Sequence, residues 1–207
     1  MGIVFYLLGE YEKSIKSYEK VLKIDPKYCS AYNNKGYVLY NCNRYQEALQ
    51  DFDQCLNISG NRDSALINKG FVLLLLGRHE EAIETLNKAV EIYPAFDEAW
   101  YYKGRVHFSL EEFDKAQEAF DQVIELNKEF VVDSGGYKGL IFAELDNFDK
   151  SMESFSKGEE TINDYENKET IKYMVKSKKN LSTNKKNTNK DIEEEIKKCK
   201  EDSLVIG

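Results

Sequence analysis

Apolar residues between Asp63 and Pro94 recur at helical spacing in two successive runs. In the second run Ala82, Ile83, Leu86, Ala89 and Val90 form one stripe, while Glu80, Glu81, Glu84, Lys88 and Glu91 lie opposite. That i, i+3, i+4, i+7 pattern predicts an amphipathic helix whose charged side is a solvated surface. A first helix of about 14 residues precedes it, and Gly77-Arg78 marks the tight turn between them. The same pair of helices is predicted from about Cys29, with a turn at Asn41-Cys42-Asn43-Arg44, and from about Asp97, with a turn at Leu110-Glu111-Glu112.

Aligning the pairs exposes columns. Gly2, Gly36, Gly70 and Gly104 stand 34 residues apart, as do Tyr11, Tyr45, His79 and Phe113. Ser14, Ala48, Ala82 and Ala116 form a third column, and Tyr18, Phe52, Leu86 and Phe120 a fourth. Glycine inside a helix costs about 1 kcal/mol relative to alanine, so glycines in register imply close backbone approach between paired helices, with the alanines as the small residues facing them. No glycine-rich phosphate-binding pattern competes with that packing role.

A 34-residue unit of two helices and a turn resembles the tetratricopeptide repeat family. Trp100, Gly104, Phe113, Ala116 and Phe120 sit at the family's signature spacing, as do Ala31, Tyr32, Gly36, Tyr45, Ala48 and Phe52, with Pro26 and Pro94 closing their repeats. The resemblance runs over residues 1–158 and implies an all-α fold, an alpha-alpha superhelix (solenoid) of four and a half to five repeats. The repeats are expected over 1–28, truncated at its front, then 29–62, 63–96, 97–131 and a degenerate 132–163.

The two ends depart from the pattern. Repeat one begins inside its first helix, so Ile3 to Leu8 form a short apolar helix with no preceding layer; either the chain starts late or this edge is a contact surface. In repeat five Phe148, Ser151 and Phe155 stand 35 residues after their counterparts, and Asp133-Ser134-Gly135-Gly136 replaces the start of the first helix. Two glycines disfavour helix by roughly 2 kcal/mol, so a late start capped by Asp133 or Ser134 is expected, either as drift of a terminal repeat or as a hinge. A capping helix is expected over 164–180, with Ile171, Met174 and Val175 as its apolar stripe. Residues 181–207 read as a polar tail with a short charged helix over 191–200, and Lys168 to Lys190 holds eight lysines against Glu169 alone.

Charge and cysteine usage narrow the function. A formal net charge of -8 argues against nucleic acid and favours apolar or basic protein or peptide segments as partners. The opening residues lack a basic leader, and no apolar run approaches the ~20 residues of a membrane span, so a cytoplasmic protein without membrane contact is expected. Cys29, Cys42, Cys55 and Cys199 form no C-x-x-C pair and are expected to be reduced, mostly buried thiols. His79 and His107 fall in packing columns, and no nucleophile–base pair or metal-ligand cluster appears, so no catalytic residue, metal or cofactor is expected.

The resemblance implies that the first helices of successive repeats line the concave face. Their outward columns hold Asn33, Asn34, Tyr37 and Tyr40 in repeat two, Asn68 and Phe71 in repeat three, Tyr101, Tyr102 and Arg105 in repeat four, and Tyr137 in repeat five. A carboxamide can donate to and accept from a peptide backbone, and the aromatic rings offer apolar pockets. The family's clamp for a free C-terminal carboxylate is not matched, since Asn33, Ser64, Tyr101 and Tyr102 occupy its basic positions and Arg105 is the one groove cation. The expectation is therefore a noncatalytic scaffold that binds a peptide segment of a partner in this groove. The alternatives are a self-assembling module stacking weakly through residues 1–8, or the interaction domain of a larger protein.

Overall fold

The computed structural model describes residues 1–59, 63–126, 130–145 and 147–160, and every regular element among them is an α-helix. The capping helix expected over 164–180 and the tail with its helix over 191–200 lie outside the described residues. The described chain falls into two compact units, divided between Pro94 and Ala95. The first contains α1 (Gly2–Leu7), α2 (Tyr11–Ile24), α3 (Cys29–Asn41), α4 (Tyr45–Ile58), α5 (Asp63–Leu75) and α6 (His79–Ile92). The second contains α7 (Asp97–Ser109), α8 (Phe113–Leu126), α9 (Val131–Glu144) and α10 (Phe148–Glu160).

Within each unit two contacts alternate. The helices of a repeat pair as α1–α2, α3–α4 and α5–α6 in the first unit, and as α7–α8 and α9–α10 in the second. The second helix of one repeat then packs on the first helix of the next, as α2 does on α3, α4 on α5 and α8 on α9. Helix α5 is consequently buried nearly all round, from Ala65 to Ile67 and from Gly70 to Leu75.

The turns repeat too. Gly9, Asn43, Gly77 and Glu111 each take a positive φ, of 72°, 59°, 67° and 60°. In repeat three the Gly77 amide donates to the Leu74 carbonyl at 3.0 Å and the Arg78 amide to the Leu73 carbonyl at 2.9 Å. This pair of bonds satisfies the carbonyls that a helix end leaves open and reverses the chain in the fewest residues.

The glycine column marks the closest approach in each hairpin, with two columns of the second helix against it. A methyl group on Gly104 would stand 2.6 Å from the Phe120 ring, and one on Gly70 2.6 Å from Leu86, so the large fourth column lies directly over the glycines. The alanine column instead faces the glycine carbonyl: where serine replaces alanine, Ser14 Oγ donates to the Gly2 carbonyl and Ser151 Oγ to the Gly139 carbonyl, both at 2.8 Å. Gly139 thereby joins the column in repeat five, one residue out of the 34-residue register.

Two expectations are corrected. Helix α9 does not start late: it begins at Val131, the Ser134 amide donates to the Phe130 carbonyl at 3.0 Å, and Gly135 and Gly136 lie buried within it. Burial between α8 and α10 outweighs the glycines' intrinsic preference, so neither Asp133 nor Ser134 acts as an N-cap. Nor are all the cysteines thiols, because Cys29 and Cys55 form a disulfide across the α3–α4 hairpin, leaving Cys42 free among the described residues. Antiparallel pairing brings the first residue of α3 to the last turn of α4, a juxtaposition across 26 residues that short-range cysteine spacing does not reveal.

Candidate peptide-binding surface

In the first unit the candidate residues lie on α3 and α5. Asn33, buried, donates through Nδ2 to Ser64 Oγ at 3.4 Å, and Asn68 Nδ2 donates to Asn33 Oδ1 at 3.2 Å. The carboxamides thus form a chain between two successive first helices. Asn34 is half-buried and hydrogen-bonds the Tyr18 phenol on α2, whose pKa burial raises and this bond lowers, leaving it above the usual phenol value. Asn34 and Asn68 share a sequence column yet hold different partners.

Beside the carboxamides runs a ladder of rings. Tyr6 of α1 meets Tyr37 edge-on at 5.6 Å, Tyr37 meets Tyr40 at 5.9 Å, and Tyr40 meets Phe71 of α5 edge-on at 5.3 Å. Such centroid separations and tilts are those favoured by the ring quadrupole. Tyr37 is the open rung, at 40% exposure, whereas Phe71 is buried and Tyr40 half-buried. Burial, then the hydrogen bond with Tyr37 and the neighbouring phenols, pushes the Tyr6 pKa up to about 12. Tyr6 therefore stays neutral throughout the physiological range. Tyr6 was not among the sequence candidates, although it stands 34 residues before Tyr40.

The second unit carries its own aromatic cluster. Tyr101, buried, stacks on Phe130 at 4.6 Å, and Tyr137 stacks on Phe120 at 5.1 Å while meeting Phe108 edge-on. The Arg105 guanidinium lies 5.5 Å from the Tyr101 ring centre and 5.8 Å from that of Tyr102. Burial disfavours its charge, but the Tyr137, Tyr101 and Tyr102 phenols and the Asp133 carboxylate outweigh that, so its pKa is raised. Burial likewise drives the Tyr101 phenol well above its usual value. Tyr101 and Arg105 are thus parts of a packed core rather than outward groups, and half-buried Tyr102 and Tyr137 form its margin.

His107 is buried in α7, its Nδ1 2.6 Å from Glu112 Oε2, which ties the end of that helix to the turn. Among the described residues no group of three His, Cys, Asp or Glu side chains is placed to hold a metal ion. No described helix is long and apolar enough to cross a membrane.

Comparison with known proteins agrees with the repeat geometry. Family models described as tetratricopeptide repeat match residues 28–95 and 73–130, and one described as TPR repeat matches residues 2–41. The chain belongs to the tetratricopeptide repeat family. Its structural neighbours share that fold: a tetratricopeptide repeat protein from Parabacteroides merdae (TM-score 0.73, 20% identity, 95% of this chain and 75% of that one); MamA (TM-score 0.72, 23% identity, 78% and 94%); and YrrB, described as a TPR protein with an unusual peptide-binding site (TM-score 0.64, 24% identity, 79% and 84%). No curated protein matches the sequence. A tetratricopeptide fold of this kind is a protein–protein interaction module.

Proposed function

We propose that this tetratricopeptide protein is a noncatalytic scaffold whose α3–α5 face holds an extended peptide segment of a partner protein. The observation that carries the reading is the ring ladder Tyr6–Tyr37–Tyr40–Phe71, which crosses three successive first helices and leaves Tyr37 open beside the Asn68–Asn33–Ser64 chain. The rings offer apolar contact and the half-buried Asn68 amide a polar one, a combination suited to alternating side chains and backbone of an extended peptide. The net charge of -8 favours a segment with apolar and basic residues. The peptide-binding site for which YrrB is described supports the same mode of action.

Tyr37, the most exposed rung of the ladder, is the probe. Asn68→Ala would strip a donor from buried Asn33 and cost about 1 kcal/mol of stability, and Asn34→Ala would remove the partner of Tyr18. A randomised array of extended peptides carrying apolar and basic side chains identifies binders of the full chain, and Tyr37→Ala is then expected to weaken them about tenfold, while its lost contacts with Tyr6 and Tyr40 lower Tm without unfolding the chain at the assay temperature. Binding that survives Tyr37→Ala unchanged would move the site off this face.

A second reading, self-assembly, is favoured by the α1 edge, where Ile3 and Val4 are each 56% exposed and Leu7 75%. In this reading a second copy covers α1 as α2 covers α3.

A further inference from the structure

Repeat two differs from repeats three and four in how its first helix is held. Helix α5 opens on Asp63 and α7 on Asp97 and Glu98, acids that suit the positive end of a helix, while α3 has no acidic residue in its first turn. Tyr28, at the N-cap of α3, makes no side-chain capping bond either. What sets this end apart is Cys29, the first residue of α3, joined to Cys55 near the end of α4. At the positions matching Cys55, repeats three and four carry Ala89 and Val123, which hold the same place by packing alone.

The bond lies next to the carboxamide chain. Cys29 and Cys55 form a small core cluster with Ala65 of α5, against which Tyr32 and Leu56 pack. Ala65 directly follows Ser64, whose hydroxyl accepts from Asn33, and Asn33 stands one helical turn after Cys29 on the same side of α3. A single cross-link therefore pins the start of α3 and supports the junction through which α3 and α5 share their polar contacts.

We infer that the Cys29–Cys55 disulfide is a redox-sensitive lock on the α3–α5 junction, closed when oxidised and released by a dithiol reductant. Cys55 is fully buried and Cys29 keeps 9% exposure, so the reductant's thiolate attacks Cys29 Sγ. The sulfur–sulfur bond breaks, its electron pair leaves on Cys55 Sγ, and that thiolate takes a proton from solvent. The reductant's second thiolate then attacks its own sulfur in the mixed disulfide and expels Cys29 as a thiolate, which is also protonated. The reductant departs as a disulfide, two electrons having passed to the protein pair. Without cap, first-turn acid or cross-link, the first turn of α3 opens and loosens Asn33 in the next.

The consequence for ligand binding rests on the peptide-surface reading; the opening itself does not. The test is amide hydrogen exchange on the full chain, air-oxidised or treated with dithiothreitol, followed by mass spectrometry. Reduction is expected to speed exchange about tenfold in residues 29–35 and 63–68 and leave residues 97–109 unchanged. The Cys29→Ser/Cys55→Ser double variant should show the fast pattern with or without reductant, and if it does not fold, the reduced natural chain carries the comparison. Equal rates in both redox states, equal acceleration in residues 97–109, or four reactive thiols in the denatured air-oxidised chain would each overturn the lock. A lock that opens while Tyr37→Ala binds array peptides as the natural chain does would sink the peptide-surface reading and leave the lock standing.

Discussion

Gly104 sets how closely α7 and α8 approach, because the fully buried Phe120 ring occupies the space a side chain would need. Gly104→Ala gains about 1 kcal/mol of helix propensity but forces a 2.6 Å contact, and the net expected loss is about 1 to 3 kcal/mol, read by urea unfolding. Asp51 of α4 is a second residue whose surroundings decide its chemistry. It is 6% exposed, one oxygen lies 3.1 Å from Lys35 of α3, and its Oδ2 meets no donor among the described residues. Burial pushes its pKa from 3.8 to about 6 against the pull of Lys35, with Glu47 and Glu19 adding to the rise. The folded chain thus holds this proton more tightly than the unfolded chain, so the associated stability is present below pH 4 and lost as pH rises through 6. Thermal unfolding of the natural chain and of Asp51→Asn across pH 4 to 7 should differ by that component; parallel curves would show that Asp51 does not titrate there. The glycine column was legible in the sequence because register alone reveals it. The burial of Asp51 was not, since a lone acid on an amphipathic helix reads as solvated.

Among the elements, the turns between paired helices show how one conformation accepts unequal sequences. Gly9 and Gly77 take the left-handed conformation freely and Asn43 tolerates it, but Glu111 holds a φ of 60° at a steric cost of about 1 to 2 kcal/mol. Glu111→Gly is therefore expected to stabilise the second unit by about 1 kcal/mol, seen as a higher Tm; an unchanged or lower Tm would mean that Glu111's other interactions outweigh the backbone strain. Helix α9 shows the opposite balance. Local preference predicts a late start capped by Asp133 or Ser134, yet the helix runs from Val131, because buried packing exceeds the roughly 2 kcal/mol that two glycines forfeit. The carboxamides divide for a similar reason: Asn34 meets the Tyr18 phenol, while Asn68 meets Asn33, which has Ile67 rather than asparagine as its counterpart on α5.

For the molecule as a whole, the tetratricopeptide fold makes protein or peptide the partner class. The exposed apolar positions of α1 bear on assembly. Val4 is 56% exposed, whereas Val38, Val72 and Val106 in its column are between 0% and 2% exposed. If a second copy covers this edge, sedimentation velocity should show a concentration-dependent dimer that Val4→Lys abolishes, and a monomer at all concentrations would remove the self-assembly reading. Sequence by itself determined the repeat, its helix pairs and four members of the glycine column, because each follows from periodicity, and its signature residues carried the family resemblance; Gly139, one residue out of register, joined the column only in the structure. Only the tertiary structure decided which outward-column residues are open. Phe71 and Arg105 share a column with exposed Tyr37 yet are buried by neighbouring helices, the column of Asn33, Ile67 and Tyr101 is buried throughout, and Cys29 reaches Cys55 only because antiparallel pairing brings the start of one helix to the end of the next. A column states which residues are equivalent within their own repeats; what covers them depends on the side chains of adjacent elements, which differ from repeat to repeat.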